Sequence, residues 1–272
     1  MGKFDGILIC SDLDETLLTS ERTISDENKS ALEYFMSEGG CFTFATGRVP
    51  VGAKLALNYI IPNVPMICYN GAGIYDFNND KLLWEMFLDK EAGKVIDFVL
   101  SKLPLTGVEI STNERVYHHR TNRLTVEHAS IEKILQLGID YKDIPEMWKK
   151  VIFMVEVEDM PELRRIITDS EFADKFNYIQ SYKHYYEILP KEAGKGEAML
   201  KLADMLGIDR NRTIGIGDNE NDISLVKLAG TGIAVSNAVD AVKDVADYIT
   251  VDNDSHALAA VIKGIENGKI IV

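Results

Sequence analysis

Short apolar runs, each ending in a polar or acidic cluster, alternate with helical patterns at both ends of this chain. That alternation limits what the chain can fold into. GILIC (6–10) and FTFA (42–45) are continuous apolar runs, as expected for strands buried on both faces of a parallel sheet. Between them Ala31, Leu32, Phe35 and Met36 share one helical face, and Gly39-Gly40 supplies a stop. A helical stretch is expected around 50–60, then a strand at VPMICY (64–69) and a turn at NGAG (70–73). Toward the end of the chain, 196–206 reads as a helix, TIGIG (213–217) as a strand and 221–230 as a helix. TGIAV (231–235) follows as a strand, 239–246 as a helix, DYITV (247–251) as a strand and 254–267 as a closing helix. Such alternation predicts right-handed βαβ units and an α/β fold, a Rossmann-like parallel sheet covered on both sides.

The middle reads differently. VEISTNERVYHH (108–119) suggests two strands around a Thr112-Asn113-Glu114 turn. RLTVEH (123–128), VIFMVEVE (151–158), NYIQSY (177–182) and YYEIL (185–189) read as further strands, with helices at 90–102 and 161–170. Pro161 suits a first helical position. A chain of 272 residues has room for roughly two domains. The expected division is a core of 1–82 and 190–272 interrupted by an inserted α+β domain of 83–189.

Composition excludes several classes of function. Lys plus Arg is 29 and Asp plus Glu is 43, a formal net charge of −14. That balance argues against nucleic-acid binding and against docking on an anionic membrane. It leaves room for a small anionic substrate, because a bound cation inverts the sign of a local site. No apolar run reaches the ~20 residues of a membrane span, and Asp5 interrupts the start of any secretion signal, so a cytoplasmic location is expected. Cys10, Cys41 and Cys68 each sit in or beside an apolar run and are expected as reduced, buried strand residues.

Four polar clusters stand at strand ends or helix starts: Ser11-Asp12-Leu13-Asp14-Glu15-Thr16, Thr46-Gly47-Arg48, Lys195-Gly196, and Gly217-Asp218-Asn219-Glu220-Asn221-Asp222. In an open α/β sheet those positions gather at one edge, where ligands bind. Taken singly, the acidic strings would pass for turns or helix caps.

In this order DLDET, TGR, NGAG, KGEA and GDNEND resemble the haloacid dehalogenase-like phosphatase superfamily, in particular its Cof-type branch with a large inserted cap. The resemblance runs the length of the chain. It implies a Mg²⁺-dependent phosphatase acting on a small phosphorylated metabolite, a sugar phosphate for preference, through an aspartyl-phosphate intermediate. Asp12 would be the nucleophile, a carboxylate ionised at neutral pH that needs no base. Asp14 would protonate the leaving alcohol and later activate water. An Asp12 oxygen, the Asp14 backbone carbonyl and Asp218 would hold Mg²⁺, which suits few carboxylates and several waters. Thr46, Gly47, Lys195 and Asn221 would bind phosphate, Asn221 alternatively a metal-bound water, while Asp222 would ligate the metal through water or orient Lys195. Arg48 is open between an ion pair and a substrate contact, and Asn70 reads mainly as a turn residue.

Two positions depart from the family's wording. Glu15 stands where glycine is usual, and Ser236 likewise precedes Asn237-Ala238. The cap's implied role is substrate selection, with Tyr117, His118, His119, Arg120 and 183–186 as visible candidates. The adjacent histidines resemble metal ligands only superficially, since neighbouring strand residues point to opposite faces and cannot easily reach one ion, and they are expected at a surface or interface. No nucleic acid or membrane partner is expected, and the chain is expected as a monomer or weak homo-oligomer. A phosphomutase and a catalytically weak phosphometabolite-binding regulator are the competing readings.

Overall fold

The computed structural model describes residues 2–54, 59–113, 115–133, 135 and 137–272. The chain forms two compact units, Met1–Glu85 with Gly194–Val272, and Met86–Ala193. The boundary expected at 82/83 shifts because it would cut through strand β5 (Lys81–Glu85), which pairs with β4 (Gly73–Asp76) in the first unit. The return lies at Gly194, just before a helix, instead of at 190.

The first unit is built on a five-stranded sheet. Its members are β1 (Leu8–Ser11), β2 (Cys41–Phe44), β12 (Thr213–Gly217), β13 (Thr231–Ala234) and β14 (Tyr248–Ile249), in the order β14-β13-β12-β1-β2. Every pairing is parallel. Strand β1, paired on both sides by β12 and β2, is fully buried, which is why its run carries no polar alternation. Leu8 and Cys10 share a core cluster with Ala198, Met199 and Leu202 of α6 (Lys195–Leu206) and Leu225 of α7 (Ile223–Leu228). Elsewhere α1 (Asp26–Ser37), capped by Ser25 onto the Asn28 N–H, packs on α9 (Ala257–Glu266). Strand β3 (Met66–Cys68) is shorter than its sequence run and heads an antiparallel sheet, β3-β4-β5. The helix expected at 50–60 is formed over Pro50–Ala53, and residues 55–58 of it lie outside the described residues. Cys10 and Cys68 are buried and Cys41 is half-buried; all three lie within strands and none is in a disulfide.

The second unit carries a six-stranded sheet of β6 (Gly107–Thr112), β7 (Val116–Arg120), β8 (Leu137–Gly138), β9 (Trp148–Met154), β10 (Asn177–Tyr182) and β11 (Tyr185–Leu189). Their order is β10-β11-β9-β6-β7-β8. Val108, Ile110, Val151, Phe153 and Ile188 pack with α3 (Ala92–Lys102) and α5 (Met160–Thr168). The segment 123–128, expected as a strand, instead opens α4 (Arg123–Glu132). Its apolar–polar alternation is overridden by a reciprocal cap: the Asn122 side chain accepts from the Thr125 N–H, and Thr125 Oγ1 accepts from the Asn122 N–H. Its Leu124 then packs on Ile152 and Met154. His118, expected at a surface, is buried, its Nε2 lying 3.3 Å from the Glu109 carboxylate. Among the described residues no helix is long and apolar enough to cross a membrane.

Candidate active site

The ladder of β1 runs one residue past the strand, since the Asp12 N–H donates to the Ile216 carbonyl at 2.9 Å. This fixes Asp12 at the carboxyl edge of the sheet, beside the end of β12. Lys195, the first residue of α6, is fully buried and donates to Asp12 Oδ1 and Asp222 Oδ1, each at 2.6 Å. The other Asp222 oxygen accepts from the Asp218 N–H at 3.0 Å and the Asn219 N–H at 3.1 Å. Asp222 therefore caps its own turn and orients Lys195 with the same carboxylate. Thr16 Oγ1 donates to Asp218 Oδ1 at 2.7 Å. Residues about two hundred positions apart are thus brought into one cluster, all of it within the first unit.

One oxygen from each of Asp12, Asp218 and Asp222 lies within 4.8 Å of the other two. Burial first, and then the neighbouring carboxylates, push Asp12 up to about 7 and Asp218 up to about 9. Burial opposes the Lys195 ammonium, yet Asp12 and Asp222 outweigh it and raise its pKa above the ordinary lysine value. Without a cation, the desolvation of Asp12 and its neighbouring carboxylates outweighs the Lys195 ammonium, so further positive charge in the pocket would favour the ionised carboxylate. Hard oxygen donors short of positive charge suit a divalent cation, and Asp12 and Asp218 are the donors best placed to hold it. Asp222 belongs to the cluster by distance, but Lys195 and two N–H groups already engage its oxygens.

The Asp14 carboxylate is not one of those three, although its charge acts on Asp12. Arg48 grips it with a two-point fork, Nε to Oδ2 at 3.0 Å and Nη2 to Oδ1 at 2.7 Å. Of the two readings open to Arg48, the structure therefore shows the ion pair, with Asp14 as its partner. Asp14 is about half exposed, at 47% of its side chain. Thr46 is buried, with Oγ1 accepting from the Arg48 N–H at 3.2 Å. Gly47 lies against Asn70, whose amide atoms would stand 2.8 and 2.9 Å from any β-carbon there. Asn221 donates from Nδ2 to Asn70 Oδ1 at 3.0 Å, and its own Oδ1 is buried without a hydrogen-bond partner.

Two residues gain roles that sequence reasoning did not give them. Thr16, quoted only as part of DLDET, holds Asp218 across the sheet edge. Asn70, read as a turn residue, reaches Asn221. The departure at Glu15 also resolves: its φ of +56° lies in the left-handed region where glycine is favoured, its carbonyl accepts from Asn237 Nδ2 at 2.8 Å, and it is exposed.

These raised carboxylates carry a prediction. A carboxyl whose folded pKa exceeds its unfolded value near ~4 contributes stability that is full below that value and lost as pH rises through the folded one. Metal-free protein should thus lose thermal stability through about 7 for Asp12 and on toward about 9 for Asp218. A divalent cation should restore it, so the rise in thermal midpoint on adding cation should be larger near pH ~9 than near pH ~6. Differential scanning calorimetry checks this, and an equal increment at both pH values contradicts it.

The haloacid dehalogenase-like hydrolase model matches residues 9–262, and the chain belongs to that family, in its Cof-type branch. By class it is a phosphoric monoester hydrolase. It is 31% identical to the 5-amino-6-(5-phospho-D-ribitylamino)uracil phosphatase YwtE of Bacillus subtilis, over 96% of this chain and 98% of that one. It is 25% identical to the pyridoxal phosphate phosphatase YbhA of Escherichia coli, over 94% and 97%. A solved structure from Streptococcus mutans superposes with a TM-score of 0.85 over 96% and 98%, at 23% identity, a likeness of fold alone.

Proposed function

We propose that this chain is a Mg²⁺-dependent phosphatase that cleaves a small phosphorylated metabolite, a sugar or polyol phosphate, through a phosphorylated Asp12. The observation that carries the reading is the Lys195 bridge between Asp12 and Asp222 beside Asp218, an arrangement that suits a carboxylate nucleophile next to a bound cation. The relatives support the substrate class, since both named ones act on phosphate esters of small polar molecules.

Asp12 attacks phosphorus and displaces the alcohol, with Lys195 fixing the attacking carboxylate and neutralising charge on the transferring group. Thr46 Oγ1 and the Gly47 N–H bind phosphoryl oxygens. Asp14 gives its proton to the leaving oxygen, so the Arg48 fork must release it before acid catalysis. Asp14 then takes a proton from the water that attacks phosphorus in the second step. Mg²⁺, held by Asp12, the Asp14 carbonyl and Asp218, would supply the positive charge that lets a phosphate dianion enter this acidic edge. Selection among substrates is assigned to the inserted unit, Met86–Ala193.

A screen of phosphorylated metabolites tests the reading. Phosphate release is expected from one group of sugar or polyol phosphates, to be lost with chelator and restored by Mg²⁺. Full turnover in excess chelator, or no release from any phosphomonoester, contradicts it.

A further inference from the structure

The turn after β3 is an unusual piece of backbone. Tyr69 and Asn70 both have φ of +53° and Gly71 has +94°, so three successive residues sit in the left-handed region. Such a turn persists only where its surroundings hold it. Here the Asn70 N–H donates to the Thr46 carbonyl at 3.0 Å and the Tyr69 N–H to the Arg48 carbonyl at 3.1 Å. On its other side, a β-carbon at Gly71 would stand 2.1 Å from the Gly194 carbonyl oxygen, so the turn lies directly against the start of the Lys195 helix. Asn70 itself is buried. The turn therefore touches the Thr46–Arg48 loop, the approach to Lys195 and, through the Asn70 side chain, Asn221.

The last contact has a chemical direction. Asn70 Oδ1 is an acceptor, so it binds the amide nitrogen of Asn221 and fixes which way that amide is turned. Asn221 Oδ1 is then the atom without a partner. A carbonyl oxygen accepts hydrogen bonds, and a phosphoryl oxygen has none to offer it. A water bound to a cation does.

We infer that Asn70 is a positioning residue of the cation site, orienting Asn221 so that its carbonyl oxygen receives a water of the bound cation. This rests on the reading that Asp12 and Asp218 hold a divalent cation, and it decides between the two roles open to Asn221. Removing an outer partner of this kind typically lowers metal affinity by about 10–100-fold.

Mn²⁺ binding to the full chain, followed by electron paramagnetic resonance without substrate, tests it apart from activity. Asn70→Gly removes the amide while glycine accepts the left-handed backbone readily, so the fold should hold. Its Mn²⁺ dissociation constant should rise about tenfold or more. Asn70→Asp retains an acceptor for the Asn221 amide and should bind Mn²⁺ at least as tightly as the parent. Asn70→Ser, polar but too short to reach Asn221, should weaken binding as Asn70→Gly does and serves if the glycine variant is unstable. Unchanged affinity in Asn70→Gly or Asn70→Ser overturns the inference, as does an equal loss in Asn70→Asp. Asp218→Ala separates the two readings: if it leaves Mn²⁺ binding intact, the acidic cluster is not the cation site. If it abolishes binding while Asn70→Gly does not weaken it, only the role of Asn70 falls.

Discussion

Replacing Asp12 by Asn should stop turnover of every phosphomonoester, lowering kcat by roughly 10⁴-fold or more, the scale seen when a covalent nucleophile is removed. The amide has nearly the shape of the carboxylate but cannot form the acyl phosphate. The same change should leave the fold intact, for a reason visible in the site. Lys195 keeps its 2.6 Å contact with Asp222, and the charge removed is one that burial already disfavours, Asp12 standing at about 7. The metal-free thermal midpoint of Asp12→Asn should therefore equal or exceed that of the parent at neutral pH. Loss of activity together with unfolding would not count as this result, so kcat and the midpoint must be measured on one preparation. Residual turnover above about a hundredth of the parent's would mean that another group attacks phosphorus.

Asp14→Asn should separate substrates by their leaving groups. A sugar alkoxide needs a proton as the P–O bond breaks, whereas nitrophenolate is stable enough to depart alone. Formation of the phosphorylated enzyme should slow by about 10²–10⁴-fold with a sugar phosphate and far less with nitrophenyl phosphate. Rapid-quench measurement of that first step is needed, because hydrolysis of the intermediate also loses its base and slows both substrates alike. Asn retains one oxygen for Arg48 but loses the second arm of the fork, so the side chain should be freer than the parent's. Equal first-step losses with the two substrates would remove Asp14 from the role of general acid.

Much of this site was legible because its residues are fixed by backbone position. Asp12, Thr46 and Asp218 each follow an apolar run, and buried parallel strands announce themselves as such runs. Once the strands are placed, their carboxyl ends meet. The apolar runs say nothing of which side chains then pair across the edge. The Arg48 fork on Asp14, the Thr16 bond to Asp218 and the Asn70–Asn221 contact each join segments far apart in sequence. The elevation of Asp12 was equally hidden, because it depends on how completely the pocket excludes water. In the inserted unit the error at 123–128 has a local cause. Alternating residues favoured a strand, and a cap formed by Asn122 and Thr125 selected a helix. His118, expected at a surface or interface, misled in another way: a strand position facing Glu109 can bury an imidazole beside a carboxylate.

The central claim is that the phosphoryl group passes through Asp12. Enzyme mixed with a substrate from the screen, quenched in acid during turnover and reduced with borohydride, should carry homoserine at position 12, because borohydride reduces an acyl phosphate to the alcohol. Peptide mass spectrometry should find that conversion at Asp12 alone and only when substrate was present. Phosphate released in the burst with Asp12 unmodified, or reduction found at another carboxylate, would contradict the account.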